Sequence, residues 1–288
     1  MMVDGVWRDI PRDFKSTGGA FVRPDTFFRD RVALAESEAG RYRLYVSRAC
    51  PWAHRTLIVR AFARLEKRLP VFYADPYMSP ENGWEFNAGG IRYLHELYAK
   101  AKADYTGRVS VPVLWDERAG RIVNNESSEI IRMMGADLYP EKLRKEIDAV
   151  NERVYWTVNN GVYRAGFSKA QEKYDEAVTQ LFATLDWLEK RLAKRKWLCG
   201  AKLTEADVRL FTTLIRFDAV YYSHFKCNLR RLTDYPNLWR YTRRFYALPG
   251  VARTVDFAEI KSHYYRSQKD VNPTQIVPKG PLLDLRLR

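Results

Sequence analysis

Strand-forming sequence stops at Leu138-Tyr139-Pro140, and that discontinuity constrains the fold more than any other feature of these 288 residues. Before it, short apolar runs alternate with stretches of helical spacing. Residues 42–47 are predicted as a strand leading into a helix from Pro51, on which Leu57, Ile58, Ala61, Phe62 and Leu65 recur at helical intervals. Val71-Phe72-Tyr73-Ala74 is predicted as a second strand, and residues 91–101, with Leu94, Leu97 and Tyr98, as a second helix. Residues 112–115 and 121–124 form two further strands, joined by a Gly-containing loop that suits a hairpin. Glu126-Ser127-Ser128-Glu129 opens the next helix, with the acidic and hydroxyl residues that helix N-termini prefer. The order βαβαββα, with its hairpin after two βα units, predicts a thioredoxin-like sheet rather than a doubly wound one.

After Glu141 every regular element is predicted to be helical. Residues 148–160, 169–196, 205–220 and 237–247 carry apolar side chains at i, i+3 and i+4. Thr204-Glu205-Ala206-Asp207 is a capping box, with Leu203 set for a hydrophobic staple, and is assigned a structural role. The expected organisation is an α/β thioredoxin-like domain at 39–138 followed by an all-α domain at 141–260. An irregular extension at 1–38 offers Trp7, Phe14, Phe21, Phe27 and Phe28 for packing. A tail at 261–288, broken by Pro273, Pro278, Gly280 and Pro281, is expected to run extended over the body.

The formal charge of +14 is spread along the chain without a Lys/Arg block. It is assigned to solvated faces, and nucleic acid and membranes are not expected as partners. An anionic small substrate would benefit from such a field. No run of about 18 apolar residues exists for a transmembrane helix, and residues 1–24 lack the apolar core of a signal peptide. Cys50, Cys199 and Cys227 are too scattered for a disulfide framework, so a reducing cytoplasm is expected. No histidine cluster has metal-ligand spacing and no Gly-rich phosphate loop is present, so no metal is expected.

The chemistry concentrates at Val46-Ser47-Arg48-Ala49-Cys50-Pro51-Trp52-Ala53-His54. Cys50 falls at a strand-to-helix turn, and Pro51 suits the first helical position, where its missing N–H costs nothing. The amides and dipole of a helix start stabilise thiolate over thiol, and cysteines so placed lie roughly 1 to 5 pKa units below the free value of about 8.5. The bland alternative is an inert, buried thiol; the helix-start placement favours the reactive one. A resolving thiol three residues on would make a two-cysteine redox site, but that position is Ala53, so Cys50 needs an external thiol to regenerate it. Cys199 and Cys227 lack this placement and are assigned structural roles.

Other candidates keep two readings. Val111-Pro112 is either a trans strand start or a cis bond that leaves the Val111 amide and carbonyl open to a peptide-like ligand. Glu126-Ser127 either caps its helix or binds a ligand's ammonium and carboxylate. Trp84 either stacks on a ligand or covers a loop. Tyr155, Tyr163, Tyr221, Tyr222, Tyr264 and Tyr265 enrich the helical half in phenols, which can donate protons or stabilise a thiolate but more commonly build core. Asn159-Asn160-Gly161 is a poor helix interior, so the element is expected to deviate there.

These residues together resemble the cysteine-type glutathione transferases, and more narrowly the Xi class, the S-glutathionyl-hydroquinone reductases. The resemblance is carried by Ala49-Cys50-Pro51-Trp52-Ala53-His54-Arg55-Thr56, Gly83-Trp84-Glu85-Phe86, Val111-Pro112-Val113-Leu114-Trp115-Asp116 and Asn125-Glu126-Ser127-Ser128-Glu129. It continues in Asn159-Asn160-Gly161-Val162-Tyr163-Arg164, Arg216-Phe217-Asp218-Ala219-Val220-Tyr221 and Ile260-Lys261-Ser262-His263-Tyr264-Tyr265, and it extends from about Phe21 to the C-terminus. It implies the glutathione transferase fold, with glutathione as co-substrate and a homodimer as the assembly. Cys50 is implied as nucleophile and Tyr163 as proton donor or acceptor at the quinol. Trp84, Arg108, Val109, Ser110, Val111, Glu126 and Ser127 are implied to hold glutathione, and Tyr221 and Tyr264 to lie near the sulfur and stabilise its thiolate. Two departures are a short segment before Ile91 and Gln268 where histidine is expected. The nearest alternatives are another one-cysteine glutathione enzyme, such as a dehydroascorbate reductase or thioltransferase, and a non-catalytic binding member.

Overall fold

A computed structural model describes residues 1–10 and 15–287; Phe14, one of the aromatic residues expected to pack, lies outside them. The chain divides into two units, and neither is contiguous in sequence. One unit takes residues 1–12, 24–136 and 253–267; the other takes 13–23, 137–252 and 268–288.

The first unit is built on a four-stranded sheet of order β4-β3-β5-β6, formed by β3 (Tyr42–Val46), β4 (Val71–Tyr73), β5 (Val113–Asp116) and β6 (Arg121–Asn124). β3 and β4 run parallel, with Tyr45 opposite Phe72, whereas β3–β5 and β5–β6 are antiparallel. That mixture follows from the connections. The β3–β4 link contains a helix long enough to cross over, whereas β5 and β6 are joined by a four-residue hairpin loop. The loop holds its shape because the Asp116 carboxylate accepts from the amides of Arg118 and Ala119, 3.0 Å each. Strands β3, β5 and β6 are largely buried on both faces, as befits a sheet covered by helices. The helices of this unit are α1 (Pro51–Phe62), α2 (Leu94–Ala101), α3 (Ser127–Met133) and, from much later in the chain, α9 (Phe257–Ser267). α1 packs on α3 and α2 on β6.

The second unit is helical: α4 (Arg144–Val154), α5 (Gly161–Gly166), α6 (Gln171–Lys194), α7 (Glu205–Leu214) and α8 (Pro236–Tyr246). Two π-helical turns interrupt the expected helices, at Tyr155–Asn159 and Phe217–Tyr221. Each widens the i→i−4 ladder to a five-residue step, Asn160 N–H to Tyr155 O and Tyr222 N–H to Phe217 O, both 2.8 Å. The deviation expected at Asn159-Asn160-Gly161 is therefore an inserted residue. Its cause is legible in the side chains, since the Asn159 amide donates to Arg209 O and Thr213 Oγ1 across to α7 (2.9 and 2.7 Å). The extended tail expected from residue 261 begins only after Ser267, because the apolar stripe of Ile260, Tyr264 and Tyr265 buries one face of α9. The N-terminal extension is not wholly irregular either. It opens with a two-stranded ribbon, β1 (Met2–Val3) and β2 (Val6–Trp7).

The capping box forms as expected. The Asp207 carboxylate accepts from the Thr204 amide and hydroxyl (2.9 and 3.0 Å), the Leu198 amide (2.8 Å) and the Tyr241 hydroxyl (3.0 Å). Burial nevertheless pushes this carboxyl up to about 6 from its ordinary 3.8. A folded value above the unfolded one means the native state binds the proton more tightly, so the stability this group contributes falls as pH rises from about 4 through about 6 and is flat above. Asp207→Asn removes that titration. The difference in urea midpoint between wild type and variant should therefore change across pH 4–6 and stay constant above pH 7.

Candidate active site

Cys50 is the N-cap of α1, with extended backbone angles (φ −76°, ψ 119°) and Pro51 at the first helical position. β3 delivers it there, and Ser47 shapes the turn: its carbonyl accepts the Cys50 amide (3.1 Å) and its Oγ accepts the Ala49 amide (3.2 Å). The thiol is half-buried and donates to the Val111 carbonyl at 3.6 Å. It therefore stands at the positive end of α1, where first-turn amides have no carbonyl within the helix to bond.

The Val111–Pro112 bond is cis. The Val111 carbonyl faces the thiol, and the Val111 amide has no hydrogen-bond acceptor among the described residues. A peptide-like chain running past Cys50 would meet that N–H as an edge. Two phenols hold the preceding segment. Tyr98 donates its hydroxyl proton to Ser110 O (2.9 Å) while accepting from the Ser110 amide (3.2 Å) and Asn125 Nδ2 (3.0 Å). Tyr105 donates to Arg108 O at 3.0 Å. The Arg108–Val111 segment, Val109 included, is thus shaped from beneath by buried tyrosines. Burial pushes the Tyr105 phenol up to about 12 and raises that of Tyr98, so both stay protonated donors.

Glu126 is the N-cap of α3; its Oε1 accepts the Ser128 amide (2.9 Å), and Oε2 accepts from Thr26 Oγ1 (3.4 Å). Ser127 is buried at the same helix start, where its Oγ accepts from Arg55 Nη1 (3.4 Å), and the Arg55 guanidinium lies 4.4 Å over the Trp52 ring. The capping reading of Glu126 is therefore realised. Trp84 is 6% exposed, its ring stacked on His263 of α9 at 4.8 Å. Its indole is thus buried within this unit against α9.

α9 is tied to this unit by side chains that sequence reading overlooked. Arg48 Nη1 bonds Glu259 Oε1 (2.7 Å), His54 Nε2 pairs with Thr254 Oγ1 (2.8 Å), and His263 Nδ1 meets Pro76 O (3.0 Å). These bonds fix the helix that carries Tyr264, which is 1% exposed and edge-on to His263.

Tyr163 and Tyr221 belong to the helical unit and share one aromatic cluster. The Tyr163 ring lies 6.0 Å from Tyr221, 5.4 Å from Phe225, 6.0 Å from Phe167 and 6.4 Å from Phe21. Gly166 makes this possible, because a Cβ there would come within 2.1 Å of the Phe225 ring. One π-helical turn ends at Asn159, ahead of the helix that carries Tyr163, and the other ends on Tyr221; such insertions are frequent at functional sites. Arg23, also overlooked, lies 4.8 Å over the Tyr163 ring. Among the described residues no group of acidic, histidine and cysteine side chains could hold a metal ion, and no helix is long and apolar enough to cross a membrane.

A thiol at a helix start beside a cis-proline edge, in a chain that also carries an all-helical unit, defines a class. The glutathione S-transferase N-terminal domain matches residues 49–137 and the C-terminal domain matches residues 171–244, and the chain belongs to the glutathione transferase family. The glutathionyl-hydroquinone reductase PcpF of Sphingobium chlorophenolicum is 51% identical, over 98% of this chain and 96% of that protein. The glutathionyl-hydroquinone reductase YqjG of Escherichia coli is 47% identical, over 99% and 96%. A glutathione-bound structure of YqjG superposes with a TM-score of 0.89 at 43% identity, covering 99% of this chain and 96% of that one. An Xi-class transferase from Natrialba magadii superposes at 0.90 with 45% identity, covering 99% and 94%. Within the family, this chain is a member of the Xi class.

Tyr98→Phe tests whether the buried phenols shape the Arg108–Val111 segment. It strands a buried amide, a carbonyl and Asn125, which should cost about 1–3 kcal/mol of stability. The expected result is a lower denaturant midpoint together with a weaker calorimetric affinity for glutathione.

Proposed function

We propose that this protein reduces S-glutathionyl-hydroquinones to hydroquinones at the expense of glutathione. The observation that carries the reading is Cys50: a lone thiol capping α1 beside the cis Val111–Pro112 edge, in a chain similar over nearly its whole length to two glutathionyl-hydroquinone reductases.

In the first step the Cys50 thiolate attacks the sulfur of the glutathionyl-hydroquinone. An S–S bond forms, the aryl C–S bond breaks, and its electron pair stays on the aromatic carbon, which takes a proton from Tyr163. In the second step the thiolate of another glutathione attacks the glutathione sulfur of the Cys50 adduct, releasing oxidised glutathione and the Cys50 thiolate. The proton shed by that glutathione restores the Tyr163 phenol. Ala53, in the place of a resolving cysteine, is what makes the external thiol necessary. In this reading the Val111 amide and carbonyl pair with the peptide backbone of glutathione, and Glu126 and Ser127, at the start of α3, take its γ-glutamyl end. Trp84, Arg108, Val109 and Ser110 complete the binding wall, and Tyr221 and Tyr264 donate toward the thiolate. A homodimer in a reducing cytoplasm suits this chemistry, and light scattering measures the assembly directly.

Incubation with glutathionyl-menadione should add one glutathione to Cys50 by mass spectrometry, and Cys50→Ala should abolish both the adduct and quinol release while still binding glutathione. Normal turnover by that variant would overturn the mechanism. Burial pushes the Cys199 thiol up to about 11 and that of Cys227 higher still. A limiting alkylating agent at pH 7 should accordingly label Cys50 alone. In a substrate panel, glutathionyl-quinols should exceed dehydroascorbate and mixed disulfides in kcat/KM; the reverse order would assign the site to a general thioltransferase.

A further inference from the structure

The N-terminal segment of the helical unit brings a cation, Arg23, onto the aromatic cluster. Arg23 Cζ lies 4.8 Å over the Tyr163 ring and 5.3 Å over that of Phe21. Its Nε donates to Asn160 Oδ1 at 2.9 Å. Asn160 is the residue before α5, and its carbonyl accepts the amides of both Tyr163 (3.0 Å) and Arg164 (2.9 Å). The guanidinium is thus fastened to the turn that starts the tyrosine's own helix and stacked on the tyrosine's ring. A hydrogen bond from Nε leaves the planar fork fixed in orientation, which an ammonium in the same place could not reproduce.

We infer that Arg23 is a positioning residue for the reaction, holding the Tyr163 ring in place and stabilising the phenolate formed when Tyr163 gives up its proton. This inference rests on the role of Tyr163 proposed above. A cation on the face of a phenol interacts more strongly once the ring carries negative charge, so the phenol becomes a better acid. Other titratable groups near the cluster are engaged differently. Tyr221, from the second π-helical turn, meets the Tyr163 ring edge-on at 6.0 Å. His224 stacks on Phe225, and burial pushes its imidazole down to about 4, so it is uncharged at neutral pH. Arg164, on the tyrosine's own helix, is turned to Gln180 Oε1 and Glu176 Oε1 (2.8 and 2.9 Å). Only the first step uses the acid; the attack of the second glutathione on the Cys50 adduct does not.

The test separates the two steps by anaerobic single-turnover kinetics on the full chain. Arg23→Gln should slow quinol release from glutathionyl-menadione roughly tenfold and move the alkaline limb of its pH profile up by about half to one unit. Reduction of the preformed Cys50–glutathione adduct should stay within about twofold of wild type. Arg23→Lys, which keeps the charge without the fork, should recover part of the pH shift. Placed on Tyr163→Phe, Arg23→Gln should slow the first step no further. If Tyr163→Phe is slow but Arg23→Gln leaves the rate and the limb unmoved, or slows both steps equally, Arg23 only pins its segment and the inference fails. If Tyr163→Phe itself releases quinol at the wild-type rate, the reading of Tyr163 fails first.

Discussion

The contact between the Cys50 thiol and the Val111 carbonyl ties the start of α1 to the cis-proline edge of the sheet-bearing unit. One partner is delivered by β3 and capped onto α1; the other stands at the cis bond that precedes β5. Because β3 and β5 are antiparallel neighbours in register, with Tyr45 opposite Val113, the strand that positions the thiol also positions the edge beside it. The thiol, the helix start and the open amide of Val111 are therefore parts of one rigid element, and neither partner can move without the central pair of strands.

Around that contact the unit is held by buried polar side chains more than by its loops. The phenols of Tyr98 and Tyr105 shape residues 108–111, Arg55 joins the start of α1 to that of α3, and Arg48, His54 and His263 fasten α9. In the helical unit the equivalent devices are the two π-helical turns and the space left at Gly166, which let four aromatic rings meet around Tyr163. Each unit thus sets its candidate residues on or beside regular elements, oriented by buried hydrogen bonds in one and by π-helical turns and aromatic packing in the other.

Much of this was legible in the residues. The strand and helix order from 42 to 133 followed from apolar spacing, because a covered sheet demands continuous apolar strands and its helices demand a repeating stripe. Cys50-Pro51 announced a helix start, and Thr204-Asp207 announced a cap. The tyrosines at 98 and 105 were legible only as core, since a phenol's apolar ring fits the pattern whatever its hydroxyl bonds. Arg48, Arg55 and Arg23 looked like surface charge for the same reason: spacing reports which face is apolar, not which long side chain folds back over it.

Sequence by itself determined the class of fold, the place of Cys50 at a helix start and the absence of a second cysteine three residues on, because each depends on residues adjacent in the chain: a strand, a turn, a proline, and alanine where a resolving cysteine would stand. Tertiary structure alone decided that α9 belongs with the sheet, that Trp84 stacks on His263, and that Arg23 lies on Tyr163. Those contacts join residues about 180 and 140 positions apart. No local periodicity encodes such pairings, because they arise only when separately formed elements bury their faces against one another.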